Sequence, residues 1–368
     1  MFNMAQDAYH VTKAMRDMGL NADLLIPILN VKSSTIDRNS TIADPAWENP
    51  QIKDAPWIKR FYLGGNISRA TRLATLYRLI RDYDVVFCHV PSSLYVQFFH
   101  MPYVPYDAGL IRYLPHSKRI PIPGEQTIYS KVRLQLLARS YKTASRLLFT
   151  NPDTYPFFNL LKIEDDKLRF VPFLIDCERY KPSEQKNVHD GLIFFSPTRH
   201  VWFEKGSWKM LQAYKEYEKR HDDTKLVMIS WGKDLERSQE LVKSLQIKSV
   251  EFRELIPKPN LIKYYQDADV VLDQFIVGSY GTSTPEAMAC GAPVITYLNP
   301  LHEKCYGEPA PVMNSLTVKE IYMAMERLRD NSLREELGRK GREYVLKHHN
   351  PDRVVKIHLQ VAEDILQS

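Results

Sequence analysis

The stretch that decides the fold is Asp273-Gln274-Phe275-Ile276-Val277-Gly278-Ser279-Tyr280-Gly281-Thr282-Ser283-Thr284-Pro285-Glu286-Ala287-Met288-Ala289-Cys290-Gly291-Ala292-Pro293-Val294-Ile295. It reads as a strand end, a glycine-bearing loop, a helix start and a second strand. Gly278 and Gly281 let the backbone come close to a ligand. Thr284 suits an N-cap, Pro285 the first helical position and Glu286 the first turn. Such a loop offers free N–H groups and the positive end of a helix, a seat for a diphosphate. A carboxylate in that turn can accept both hydroxyls of a ribose. The same residues also make a plain, well-capped core helix, and alone they do not choose between the two.

Working outward, short apolar runs rich in β-branched and aromatic residues alternate with longer amphipathic stretches, the pattern of an α/β protein with parallel strands. Residues 191–196, 225–230, 250–252, 270–272 and 293–296 read as strands. Residues 207–220, 234–245, 260–266 and 284–289 read as the helices between them. Upstream, residues 6–18 form a helix pattern closed by Gly19, followed by strand 22–26. Helix 68–83 leads into strand 84–89, and helix 127–145 into strand 147–150; 171–173 reads as a short strand. The proline-dense residues 91–123 read as loops around one further strand. The polar residues 180–187 read as a linker, and the helical tail 333–367 breaks at Asn350-Pro351. In a doubly wound sheet a central strand precedes the first helix. Here the chain opens on the helix, so the expectation is a start further upstream or a sheet lacking that strand.

The chain has 368 residues, enough for two domains rather than one core. No window approaches the ~18 apolar residues of a membrane span, and the N-terminus lacks the layout of a signal peptide. Cys88, Cys177, Cys290 and Cys305 show no C-x-x-C spacing, which argues against a zinc site or disulfide framework and fits a reducing cytoplasm. The net charge is +6, yet residues 1–150 hold 19 Lys and Arg against 11 Asp and Glu. That basic half suits an anionic membrane surface or substrate as well as ordinary solvation. No nucleic-acid module accompanies it, so nucleic acid is not an expected partner.

A second constellation is Ser196-Pro197-Thr198-Arg199-His200-Val201-Trp202-Phe203-Glu204-Lys205-Gly206. Two cations near the C-terminal end of a buried strand suit a pyrophosphate leaving group, whose charge grows in the transition state; by themselves they also suit plain solvent-facing charge. With the stretch Pro285-Glu286-Ala287-Met288-Ala289-Cys290-Gly291-Ala292-Pro293-Val294-Ile295, the strand 267–272 and the hinge-like 171–182, the sequence resembles the retaining group 1 glycosyltransferase family of GT-B fold. These matches run in order; the N-terminal half resembles the family only in layout.

The resemblance implies two Rossmann-like domains facing a cleft: an acceptor-side domain over 1–172, a hinge over 173–190 and a nucleotide-sugar domain over 191–350. The C-terminal helix, 351–368, would pack back on the first domain. It implies that Arg199 and Lys205 grip the donor diphosphate and that Glu286 binds the ribose. Tyr280, Gly281, Thr282 and Ser283 would lie against sugar and phosphate, and the segment carrying Ile256 against the nucleobase. No metal and no covalent nucleophile are implied; the donor is a UDP- or GDP-type nucleotide sugar.

There are two departures. The family's second Glu, eight positions before the ribose Glu, is replaced by Gly278, in a variant loop with Asp-Gln before it and Gly-x-Tyr-Gly within it, so Asp273 or Gln274 is expected to compensate. Asp107, in Tyr106-Asp107-Ala108-Gly109-Leu110-Ile111-Arg112, would stand where many members carry a sugar-contacting His, with Arg112 as a further donor contact. His89 is a competing polar contact. In helix 127–145, Lys131, Arg133, Arg139 and Lys142 oppose Val132, Leu136 and Leu137, which suits core packing with a solvated basic face or docking on a membrane. The expectation is a cytoplasmic transferase, peripheral on the inner face of the membrane, that moves a hexose-type sugar to a glycan or lipid-linked acceptor. The alternatives are a nucleotide-sugar epimerase and an inactive homologue serving as a scaffold.

Overall fold

The computed structural model describes residues 7–28, 55–62, 69–113, 131–184 and 191–367. The chain divides into two compact units: residues 1–174 with 351–368, and residues 175–350.

The first unit holds β1 (Leu24–Ile28) and β2 (Ile58–Tyr62), paired in parallel. Its other sheet is four-stranded and parallel: β3 (Val86–His89), β4 (Tyr103–Asp107), β5 (Leu147–Phe149) and β6 (Leu168–Phe170) in that order. Among the described residues no strand joins the two sheets, and residues 1–5, where a central strand would bear on the opening of the chain, lie outside them. Val104, Tyr106, Leu148 and Val171 are buried against Val11, Ala14 and Met15 of helix Asp7–Asp17 and against Val354, Val355 and Val361 of helix Pro351–Leu366. The last helix is therefore part of this core, burying Val354, Val355 and Val361 in it.

Two expectations need correction here. The strand expected at 171–173 lies at Leu168–Phe170 instead. Val171 still donates to the Phe149 carbonyl at 2.9 Å, and Pro172, which has no N–H, cannot continue the ladder. The basic helix spans Lys131–Thr143, and residues 127–130 lie outside the described residues. Leu137 is buried as expected, but Val132 is 61% exposed and not on the packed side. No described helix is long and apolar enough to cross a membrane.

The second unit is a six-stranded parallel sheet. Its strands are β7 (Leu192–Ser196), β8 (Thr224–Ile229), β9 (Val250–Arg253), β10 (Val270–Leu272), β11 (Val294–Thr296) and β12 (Met313–Asn314). The order is β12-β11-β10-β7-β8-β9. Phe194, Leu226, Val270, Leu272 and Ile295 are fully buried against Met210, Leu211 and Tyr214 of helix Ser207–Glu218 and Ile321 and Met325 of helix Val318–Arg327. Chain order reverses between β7 and β10. At such a switch point the loops leaving the two strands diverge to opposite faces and open a crevice at their C-terminal ends, where open α/β sheets bind ligands. Residues 197–206 and 273–282 are the two loops that leave this point.

Candidate nucleotide site

Asp273 follows β10 directly and is 2% exposed. Its Oδ1 accepts from the Thr198 hydroxyl at 2.6 Å and its Oδ2 from the Thr284 hydroxyl at 2.7 Å. One carboxylate thus ties the loop after β7 to the helix after β10. Both oxygens are engaged by hydroxyls inside the protein, so Asp273 acts as a clamp between the two segments. Thr284, expected as an N-cap, spends its hydroxyl on this clamp; the helix spans Ser283–Ala289 and its N-cap is Thr282.

The second tie is Lys205. Its ammonium donates to the Gln274 side-chain oxygen, and its carbonyl accepts from Phe275 N–H at 2.9 Å. Gln274 is 1% exposed, and its backbone carbonyl accepts from Tyr297 N–H at 2.8 Å and the Thr296 hydroxyl at 3.0 Å. Lys205 lies 3.8 Å from Glu204 Oε1, and Arg199 lies 3.6 Å from Glu204 Oε2 with its guanidinium over the Trp231 ring. The two expected phosphate cations therefore share one carboxylate, Glu204. Gly206 ends this short turn at φ +72°, and a Cβ there would stand 2.9 Å from Ile276 Cγ1, so only glycine lets the two loops approach this closely.

Glu286 is 3% exposed in the first turn of its helix. Its Oε2 accepts from the Tyr265 hydroxyl at 2.9 Å and its Oε1 from Lys258 Nζ at 2.5 Å. Lys258 also reaches the Thr282 hydroxyl at 3.2 Å. Burial, reinforced by the charge of Glu286, pushes the Tyr265 phenol well above its ordinary range, so it stays a donor. Lys258 opens helix Lys258–Asp267, two residues after Ile256, which is half-buried. Neither Lys258 nor Tyr265 stood out in the sequence. Their only signal was position, directly after the segment expected at the base.

The rest of the loop separates into exposed and buried halves. Gly281, Thr282 and Ser283 are partly open, and a Cβ on Gly281 would meet nothing within 4 Å. Tyr280 is 3% exposed and turns inward, with its hydroxyl 3.0 Å from His349 Nε2 and its ring against His302 and Tyr306. It supports the loop from behind and does not line it. Gly278 sits at φ +77°, where a Cβ would lie 2.9 Å from Asn299 Cβ and 3.1 Å from the Tyr297 ring. A larger side chain at this position would press on Asn299 and Tyr297.

In the first unit, Asp107 and Arg112 are not available to a ligand. Asp107 is fully buried. Its Oδ1 accepts from Gly109 N–H at 2.5 Å, and its Oδ2 from Ile111 N–H at 3.0 Å and from the Tyr141 hydroxyl. Burial pushes its carboxyl up, while those hydrogen bonds and the charge of Arg112 pull it down. Arg112 is forked onto Asp153, Nε to Oδ2 at 2.6 Å and Nη2 to Oδ1 at 2.5 Å. Short polar side chains close turns on their own backbone, and that is what Asp107 does here. His89 ends β3, stacked on Tyr106 at 4.2 Å with its Nδ1 4.0 Å from Asp7 Oδ2. Burial pushes its imidazole down to about 3, with a further contribution from His358, so it is neutral and the contact with Asp7 is not an ion pair.

A six-stranded parallel sheet whose order reverses between β7 and β10, with Arg199, Lys205 and Glu286 on or beside the loops that leave this point, is an α/β unit of the class that binds ligands at the switch point. Residues 178–343, within the second unit, match the family described as "Glycosyl transferases group 1". The chain is similar to the alpha-monoglucosyldiacylglycerol synthase of Streptococcus pneumoniae, 26% identical over 151 residues, covering 38% of this chain and 34% of that protein. It is similar to the D-inositol 3-phosphate glycosyltransferase of Corynebacterium jeikeium, 30% identical over 147 residues, covering 35% of each. These matches span about a third of the length of those curated relatives. Over nearly its whole length the chain shares the GT-B fold of sucrose-phosphate synthase from Thermosynechococcus elongatus (TM-score 0.71, 17% identity, 97% of this chain and 92% of that one). It shares it too with Anabaena HepE in complex with UDP and glucose (TM-score 0.68, 13% identity, 94% of this chain and 99% of that one).

Proposed function

We propose that this protein is a retaining glycosyltransferase that moves a hexose-type sugar from a UDP- or GDP-type donor to a glycan or lipid-linked acceptor. The observation that carries the reading is the Asp273 clamp, which holds the Arg199–Lys205 loop and the Glu286 helix at one switch point. In this reading Glu286 accepts the ribose hydroxyls and Arg199 and Lys205 neutralise the diphosphate as the bond from the sugar carbon to phosphate oxygen breaks. The acceptor oxygen forms its bond to that carbon on the same face and gives its proton to the departing phosphate. The helix behind Glu286 has only seven residues, so the two side-chain cations carry most of the electrostatic work. No metal is needed in this scheme. The related HepE, solved with UDP and glucose, supports the donor class, and the lipid-glycosylating relative supports the acceptor class. We place the enzyme in the cytoplasm, peripheral on the inner face of the membrane, in surface polysaccharide or glycolipid synthesis.

Thermal shifts against UDP, GDP, ADP and their sugars test this. A ligand at ~100 times its Kd adds about 2.7 kcal/mol of stability. A shift confined to one base and lost in Glu286→Ala supports the reading; no shift with any nucleotide refutes it. A homologue without transfer activity is the second reading, favoured by the internal commitment of both Asp107 and Arg112. It is distinguished by nucleotide binding without sugar transfer. An epimerase would interconvert donor sugars with no acceptor present.

A further inference from the structure

We infer that Lys258 is a third cationic contact for the donor diphosphate and the residue that couples it to the ribose carboxylate. The inference rests on the nucleotide-sugar reading above. Two of the three ammonium donors of Lys258 are accounted for, by Glu286 Oε1 at 2.5 Å and the Thr282 hydroxyl at 3.2 Å. Its side chain is 17% exposed, so the ammonium is not sealed inside. Both of its partners belong to the proposed donor site: Glu286 takes the ribose, and Thr282 begins the stretch that faces sugar and phosphate. Pro257 precedes it at φ −58°, which fixes the start of helix Lys258–Asp267 and aims the long side chain from a rigid base.

Charge is the second argument for Lys258. In this contact network the cations Arg199, Lys205 and Lys258 stand against the carboxylates Glu204, Asp273 and Glu286. Lys209, which braces the Phe275 and Leu316 carbonyls, has Glu320 as its own countercharge. Removing Lys258 takes one positive charge from beside Glu286 and Thr282, and a diphosphate brings more than one further negative charge. Tyr265 holds Glu286 from its other oxygen, so the carboxylate keeps its place when Lys258 turns to the phosphate.

The test is calorimetric titration of the full chain with the responding nucleoside diphosphate and with the corresponding nucleoside. It uses wild type, Lys258→Met, Lys258→Gln and Lys258→Arg, with circular dichroism confirming that each folds. One charge-assisted hydrogen bond corresponds to roughly ten- to hundredfold in affinity. The expected result is a loss of that size for the diphosphate in Lys258→Met and Lys258→Gln, a much smaller loss for the nucleoside, and partial recovery in Lys258→Arg. Equal losses for both ligands would make Lys258 a mere brace for Glu286 and overturn the proposal, as would unchanged diphosphate binding. Both of those outcomes leave the nucleotide-sugar reading intact. Wild type that binds neither ligand overturns that reading and this proposal together.

Discussion

Asp273 and Thr284 are eleven residues apart, and the 2.7 Å hydrogen bond between them fixes where the helix carrying Glu286 begins. The other oxygen of Asp273 holds Thr198, one residue before Arg199. A single buried carboxylate thereby sets the spacing between the proposed phosphate cation and the proposed ribose carboxylate.

Asp273→Ala should therefore cost both stability and ligand response. Each buried hydroxyl left without a partner costs about 1–3 kcal/mol. Urea unfolding should show a loss of roughly 2–5 kcal/mol on that basis. Nucleotide-induced stabilisation should fall further in this variant than in Thr198→Val or Thr284→Val. Equal responses in all three would show that Asp273 is not the shared clamp.

Placing an acidic residue in this loop by Gly278→Glu should harm the protein. The backbone is held at φ +77°, and the new Cβ would press on Asn299 and the Tyr297 ring. A destabilisation of about 1–3 kcal/mol is expected from this strain. Transfer activity should not rise. A variant as stable as wild type, with higher activity, would contradict the geometry of this loop.

Asp107→Asn and Arg112→Met separate structural from catalytic roles in the first unit. Both remove one side of a buried, fully committed group, so melting should drop in each. Nucleotide affinity at the second unit should stay within about twofold, since Asp107 and Arg112 spend their polar atoms on partners within the first unit. Changed nucleotide affinity with unchanged melting would restore them as ligand contacts.

Acid should weaken the protein through its buried histidines. Burial holds His302 and His89 down to about 3 and His200 and His358 down to about 4. Their folded values lie below the unfolded value, so the unfolded chain binds protons first as pH falls. Stability from each is complete above the unfolded value of about 6.5 and is lost at about 1.4 kcal/mol per pH unit below it. His302 is 2% exposed and stacked on Tyr306, so His302→Phe should keep the packing. The stability difference between pH 7 and pH 5, from urea unfolding, should shrink by about 2 kcal/mol in that variant. An unchanged difference would show that His302 is not neutral and buried.

Much of the second unit was legible in the sequence. The strand at Val270–Leu272 and the helix-to-strand turn around Gly291 follow from periodicity and from glycine and proline punctuation, which are local properties of the chain. Helix Val318–Arg327 was not read out, although its Thr317–Glu320 capping box is a local signature. Short strands such as Ile58–Tyr62 carry too few residues to show a period, and pairing with a distant strand decides them.

The sequence by itself determined the class of this protein: α/β periodicity, the order of Arg199, Lys205 and Glu286, and a loop without the usual acid at Gly278. Only the tertiary structure decided which polar groups are consumed inside the fold. Asp107, Arg112, Asp273 and Tyr280 look available as letters, yet each is consumed by a partner from elsewhere in the chain. Lys258 and Tyr265 look ordinary, yet folding brings them onto Glu286 across 28 and 21 residues. The reason is that a buried polar group must find a hydrogen-bonding partner, and which one it finds depends on packing between segments that sequence spacing does not encode.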